Sequence, residues 1–198
     1  MLSVSSAVFY RPKEKKVQAD RARASFVRPG GDHIMLLAIW NQWVDTGYSA
    51  QWCYENFIQH RSMCRARDLR DQIVGLMVRV EIIPEAAPNP NDSEPVRKAI
   101  TAGFFYNGAR LQKSGDSYMT IKRHQTVHIH PSSTLHEEKP KLVIYYELVL
   151  TSREFMRQVI DINAEWLLEA APHYYKLSDI NDDIKRKMPK PIQAPKRA

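Results

Sequence analysis

Cysteine is scarce in this chain, with only Cys53 and Cys64 among 198 residues. Two thiols cannot build a disulfide framework, so the fold must rest on a packed core, and a reducing, intracellular setting is expected. Long apolar runs are lacking too. None approaches the ~20 residues a membrane helix requires, so no membrane partner is expected. The first ten residues carry no basic stretch ahead of their apolar ones, which argues against a secretory signal. Glycine-rich phosphate loops are missing: there is no Walker pattern and no Gly-x-Gly-x-x-Gly, and the one notable glycine pair is Gly30-Gly31. No nucleotide site can be argued from these residues, and no cofactor is expected in the chain. The sharp turn with an exposed nucleophile that a serine hydrolase needs is also absent.

Histidine is the one metal-ligating type present in a group, as His124, His128, His130 and His136. Neither these nor the two cysteines have zinc-site spacing, so structural or solvent-facing histidines are expected and no metal. The acid pairs Glu137-Glu138 and Asp182-Asp183 fall in loop and tail sequence, where solvated charge is the plain reading.

Basic charge, in contrast, is abundant. The formal net charge is +7 and the isoelectric point about 9.4. This balance favours a polyanionic partner, nucleic acid ahead of an anionic membrane. The excess is clustered. Arg11, Lys13, Lys15, Lys16, Arg21, Arg23 and Arg28 face only Glu14 and Asp20 nearby. From Lys185 onward six basic residues occur with no acid, a run best read as a solvated or addressing tail.

The order of local signals predicts an α+β chain: a helical bundle, then a small five-stranded barrel, then a helix and a basic tail. Residues 13–26 read as a basic connector with short helical content. Asp32 is the expected N-cap of an apolar helix reaching Thr46 and stopped by Gly47, and Ser49 caps a short second helix. A third helix over 62–80 carries Ala66, Leu69, Ile73, Leu76, Met77 and Val80 as its apolar stripe, with Arg61 and Arg65 flanking it on one side. Residues 84–95 form a Pro/Asn linker, and 94–106 one more helix. Strand-like runs follow at 109–113, 118–122, 126–130, 141–150 and 155–162, with Ser114-Gly115-Asp116 as a hairpin turn. In the fourth run Leu142, Ile144, Tyr146, Leu148 and Leu150 share one face. Five short strands with one longer connection suit an OB-like barrel, and an SH3-like barrel gives a similar string. The expected domains are 1–95 (helical), 96–176 (barrel with its closing helix) and 177–198 (tail).

On the barrel strands, basic and aromatic residues alternate: Arg110, Lys113, Tyr118, Lys122, Arg123, Tyr145, Arg153 and Arg157. Such interleaving suits single-stranded nucleic acid, whose phosphates need cations and whose bases stack on rings. Phosphate contacts carry little sequence information, so low sequence preference is expected.

Several longer motifs resemble the C-terminal region of DEAH-box RNA helicases. They include Phe9-Tyr10-Arg11-Pro12, Gly30-Gly31-Asp32-His33 and Trp52-Cys53-Tyr54-Glu55-Asn56-Phe57. Arg61-Ser62-Met63, Arg65-Ala66-Arg67-Asp68 and His128-Ile129-His130-Pro131-Ser132-Ser133 belong to the same pattern. So do the run from Tyr146 to Arg157 and the ending Trp166-Leu167-Leu168-Glu169-Ala170-Ala171-Pro172-His173-Tyr174-Tyr175. The resemblance covers about residues 1–176 and is closest to the pre-mRNA-splicing members. It implies a ratchet-like helicase-associated region followed by an OB fold, which together with the motor domains enclose single-stranded RNA in the nucleus. It also implies spliceosomal protein partners, among them a G-patch activator. By motif position the RNA contacts would be Thr151, Ser152, Arg153 and Arg157, then Arg110 and Lys122, with Arg61 and Arg65 weaker. ATP and Mg would bind the motor domains, which this chain lacks, so alone it should be non-catalytic. A second reading makes the chain mainly a protein–protein docking platform, and a third, a stand-alone zinc enzyme, would require stoichiometric metal.

Overall fold

The structure is a computed structural model that describes residues 8–83, 89 and 92–180. Its first half is helical: α1 (Lys16–Ser25), α2 (Asp32–Asp45), α3 (Ala50–Glu55) and α4 (His60–Arg79). Their shared core gathers Phe26, Met35, Leu36, Ile39, Trp43, Cys53, Ile58 and Met63. Trp43 is the largest of these and is fully buried, edge-on to Trp40 and Tyr48. Its indole N–H donates to the Ser49 carbonyl at 3.2 Å, so the one polar atom of the ring is satisfied. The chain leaves α2 through Gly47, at a φ of 67°, and Tyr48, whose N–H reaches back to the Trp43 carbonyl. Ser49 then caps α3 as expected, its hydroxyl accepting from the Trp52 N–H. Ahead of α1, Phe9 bridges Ile58 and ties the start of the described chain to the loop before α4.

The long helix α4 begins two residues before its predicted start, and its stripe divides. Met63 and Ala66 are buried, whereas Ile73, Leu76 and Val80 are more than half exposed. The periodicity was legible, but nothing among the described residues covers its second half.

Next comes α5 (Glu94–Phe104), followed by a 3-10 turn and the five strands. These are β1 (Gly108–Leu111), β2 (Tyr118–Thr120), β3 (Thr126–Ile129), β4 (Leu142–Leu150) and β5 (Glu154–Asp161). They close in the order β1-β2-β3-β5-β4, with β3 and β5 parallel and β1 completing the ring against β4. A barrel made only of consecutive hairpins could not contain that parallel pair. The Greek-key closure resolves the two barrel readings in favour of the OB fold.

Two apolar layers hold this barrel. Inside lie Ala109, Tyr118, Val127, Ile129, Leu135, Val143, Tyr145, Met156 and Val159. Outside the β1–β4–β5 wall, Leu142, Ile144, Ile160 and Ile162 meet α6 (Ala164–Ala170) and its sequel Ala171 and Tyr175. The start of β4 is therefore covered on both faces. Alternation does not run through its whole length, however: Tyr145 and Leu148 both pack inward, opposite Val159 and Met156. Two residues intervene in each inward pair, and Gln158 stands between Met156 and Val159 with a φ of 52°. One left-handed residue resets the pleat, so Leu148 leaves the face that strict period two assigns it.

Asn163 precedes α6 without a side-chain cap, and Tyr175 folds back so that its hydroxyl donates to the Phe105 carbonyl at 2.5 Å. The expected tail boundary at 177 falls too early. Leu177–Ile180 form a short helix, α7, whose Ile180 joins the outer core and whose Asp179 pairs with Lys122. The basic run from Lys185 lies outside the described residues.

Helices and barrel are joined at Gly30, Gly31 and Asp32. Gly31 bridges Ile160, and the Gly30 carbonyl accepts from the Asp161 N–H, so this short stretch pairs with β5. Only glycine fits here. Gly31 has a φ of 115°, and a Cβ would sit 2.5 Å from the Val159 carbonyl oxygen. Asp32 was expected to cap α2, but the cap position belongs to Gly31, and its neighbour's carboxylate turns into the barrel. It accepts from the Ser133 hydroxyl (2.7 Å), the Thr134 N–H (2.7 Å), the Thr134 hydroxyl (3.0 Å) and the Val159 N–H (2.9 Å). Four donors compensate the desolvation of a buried carboxylate.

Candidate nucleic-acid interface

In OB barrels oligonucleotides lie across the β2–β3 face, flanked by the β1–β2 and β4–β5 loops. Here the β4–β5 turn is Thr151-Ser152-Arg153, all three exposed, closed by the Thr151 N–H on the Arg153 carbonyl at 3.0 Å. Beside it β5 sends Phe155 and Arg157 outward, while β3, parallel to it, presents His128, and His130 follows just past its end. The Phe155 ring stands 6.1 Å from that of His128 and 5.6 Å, edge-on, from that of His130. A small aromatic ledge is thus bordered by Arg153 and Arg157.

The two arginines are held lightly. Arg153 reaches His128 Nε2 at 3.5 Å, the outer limit of a hydrogen bond. Arg157 lies 3.7 Å from Glu147, both side chains about half exposed, an ion pair worth little in water. A phosphate could replace either partner at small cost. His130 is held below its ordinary titration range, chiefly by burial and then by the Arg157 charge. Its Nδ1 accepts from the Ser132 N–H at 3.1 Å, shaping the loop after β3. On the same loop the Ser132 carbonyl accepts from Arg23 of α1, so the helical part buttresses this edge. Gln158 contributes through its backbone. Its left-handed conformation lets Arg157 face water while Met156 and Val159 both face the core. Its side-chain oxygen, like His128 Nδ1, is buried without a partner.

Of the residues singled out from sequence, the fold brings Thr151, Ser152, Arg153 and Arg157 together. Arg110 is elsewhere: it pairs with Leu142, at the end of β4 remote from Thr151. Nine steps of ~3.3 Å, from Leu142 to Thr151, separate the two positions by about 30 Å along the strand. Lys122 is engaged with the fold itself. Its ammonium meets Asp179 at 2.7 Å and lies over the rings of Tyr174 and Tyr175, fastening α7 to the barrel. Arg61 and Arg65 are exposed on the first two turns of α4, in the helical part. His128, His130 and Phe155 were not singled out as nucleic-acid contacts. The sign that could have found them is the period-two pair His128/His130 beside a strand whose aromatic residue immediately follows the basic turn. Among the described residues no group of three or more His, Cys, Asp or Glu could hold a metal ion.

Residues 96–174 match the family described as oligonucleotide/oligosaccharide-binding (OB)-fold. That segment takes in α5 from residue 96 onward, all five strands and α6, and the match is to an OB-fold domain typical of the C-terminal region of DEAH-box helicases. The family's description names oligonucleotides and oligosaccharides as ligands, and of the two the basic balance of this chain favours nucleic acid.

Proposed function

We propose that this chain is the C-terminal RNA-gripping and partner-docking part of a nuclear DEAH-box pre-mRNA-splicing helicase, the one that remodels the activated spliceosome before branching. In this reading the β4–β5 turn and β5 hold single-stranded pre-mRNA. Arg153 and Arg157 take successive phosphates, Thr151 and Ser152 donate hydroxyl hydrogen bonds, and the Phe155 ledge receives a base. ATP hydrolysis belongs to motor domains outside the chain, and a G-patch activator and other spliceosomal proteins are its protein partners. The observation that carries the reading is the convergence of Thr151, Ser152, Arg153 and Arg157 beside an outward-facing aromatic on the OB-fold's binding side.

The test is fluorescence anisotropy of the chain with a single-stranded oligo-uridine across a salt series. Two phosphate contacts give a slope of roughly −1.4 in log affinity against log salt, and Arg157→Ala reduces it by about 0.7. A well-folded Arg157→Ala chain with unaltered affinity and slope removes that residue from the site. No binding at low salt favours the docking reading, which the exposed Ile73, Leu76 and Val80 on α4 also support.

A further inference from the structure

A second site lies on a different wall of the barrel. Between the β1–β2 hairpin, the start of β4 and the junction of β5 with α6 runs a groove of about 670 Å³. Its rim is cationic, formed by Arg110, Lys113 and Lys141, and its aliphatic floor is the partly exposed Leu111 and Ala164, lying over the buried side chains of Leu142, Ile162 and Ile180. Among the described residues one acid, Asp161, also lines it, but its carboxylate is taken at 2.7 Å by Arg97, which also donates to the Asp161 carbonyl. The groove therefore offers positive charge along its edge and methyl groups beneath.

This pattern is unlike the β4–β5 edge. Among the described residues no aromatic side chain lines the groove, so none of them offers bases a ring to stack on. Leu142, Ile162 and Ile180 belong to the outer layer beneath α6 and α7, away from the β2–β3 face that OB barrels use for oligonucleotides. Its volume falls within the range of formed ligand sites, and cations around an aliphatic floor complement carboxylates alternating with leucine-like side chains.

We infer that this groove is a protein-docking site for an acidic, leucine- or isoleucine-bearing segment of a partner, and that Arg110 serves it rather than RNA. The inference deepens the partner-docking part of the function proposed above and does not depend on the RNA part. The experiment uses the full chain and two probes: a fluorescein-labelled peptide of alternating glutamate and leucine, and the oligo-uridine. The groove variant is Lys113→Glu with Lys141→Glu, both exposed and away from the barrel core. The edge variant is Arg153→Glu with Arg157→Glu. The groove variant should bind the peptide at least about tenfold more weakly and alter oligo-uridine affinity less than about twofold, and the edge variant should do the reverse. A peptide of alternating glutamate and serine should bind more weakly than the leucine version, since it leaves the floor unfilled.

Absence of peptide binding, or peptide affinity that the groove variant leaves unchanged, overturns the inference while leaving the RNA reading intact. Equal loss of both probes in the groove variant overturns it as well and makes the groove a continuation of the RNA path. Failure of oligo-uridine binding in the unaltered chain, with peptide binding retained, sinks the RNA reading and leaves this one standing.

Discussion

The two ends of the helical half contrast in a way that hydropathy alone would invert. At the start of α2 a carboxylate is buried, and along the second half of α4 a row of aliphatic side chains stands in water. Asp32 is only 5% exposed because four donors from the β3–β4 connection and β5 surround it. Ile73 and Leu76 are 54% and 57% exposed because α4 runs past the core that covers Met63 and Ala66. Burial here follows what lies opposite a side chain more closely than what the side chain is. One end is a completed joint, and the other is a face awaiting cover.

The largest way to break that contrast is at the joint. Asp32→Ala leaves the N–H groups of Thr134 and Val159 buried without their acceptor and should cost about 4 kcal/mol, read by urea unfolding. Asp32→Asn, which keeps the size, should recover part of it. A loss below about 1 kcal/mol for the alanine variant would mean the carboxylate does not hold the halves together.

Acid should act on the same joint through the adjacent residue. His33 is buried, and burial pushes its titration down to about 4, with the neighbouring Asp32 charge partly opposing. Between about pH 6.5 and 4 the unfolded chain carries a proton on this ring that the folded chain does not. Unfolding then takes up protons, so stability is full above that window and falls as pH drops through it, by about 3 kcal/mol in all. His33→Leu should flatten this part of the pH–stability curve relative to the unaltered chain, and equal curves would remove His33 as the cause.

The smallest effect is expected at the other end. Replacing Ile73, Leu76 and Val80 together by serine should move stability by only about 0.5 kcal/mol per site, because no core contact is lost. The same change should reduce self-association measured by analytical ultracentrifugation if the face is sticky. A large destabilisation would show that the stripe is covered after all, and would erase the comparison.

Much of this architecture was legible before any coordinates. Ser49 as a cap, Gly47 as a stop and the five strand runs were read close to where they lie, because each depends on residues within a few positions. Gly30-Gly31-Asp32 marked the right place and suggested the wrong role. A cap is the local use of an aspartate before an apolar helix, and the partners that displaced it lie 101, 102 and 127 residues away. Leu148 was assigned to the Ile144 face because nothing in the pattern of β4 announces the left-handed turn of Gln158 on the neighbouring strand.

The candidate interface divides in the same manner. Thr151, Ser152, Arg153 and Arg157 are consecutive or nearly so, and a turn followed by a strand places them together. Arg110 and Lys122 share their chemistry, yet barrel closure sends one to a remote groove and the other to Asp179 on α7. His128, His130 and Phe155 became a ledge only when β3 paired parallel with β5.

By itself the sequence determined the element types, the basic character and the neighbours along each strand, since caps, periodicity and charge are properties of short stretches. The tertiary structure alone decided which cations face solvent, which carboxylate is buried and where the β4–β5 edge and the cationic groove lie. Those outcomes depend on desolvation and pairing between residues far apart in the chain, and such terms have no value until the fold brings the partners within a few ångströms.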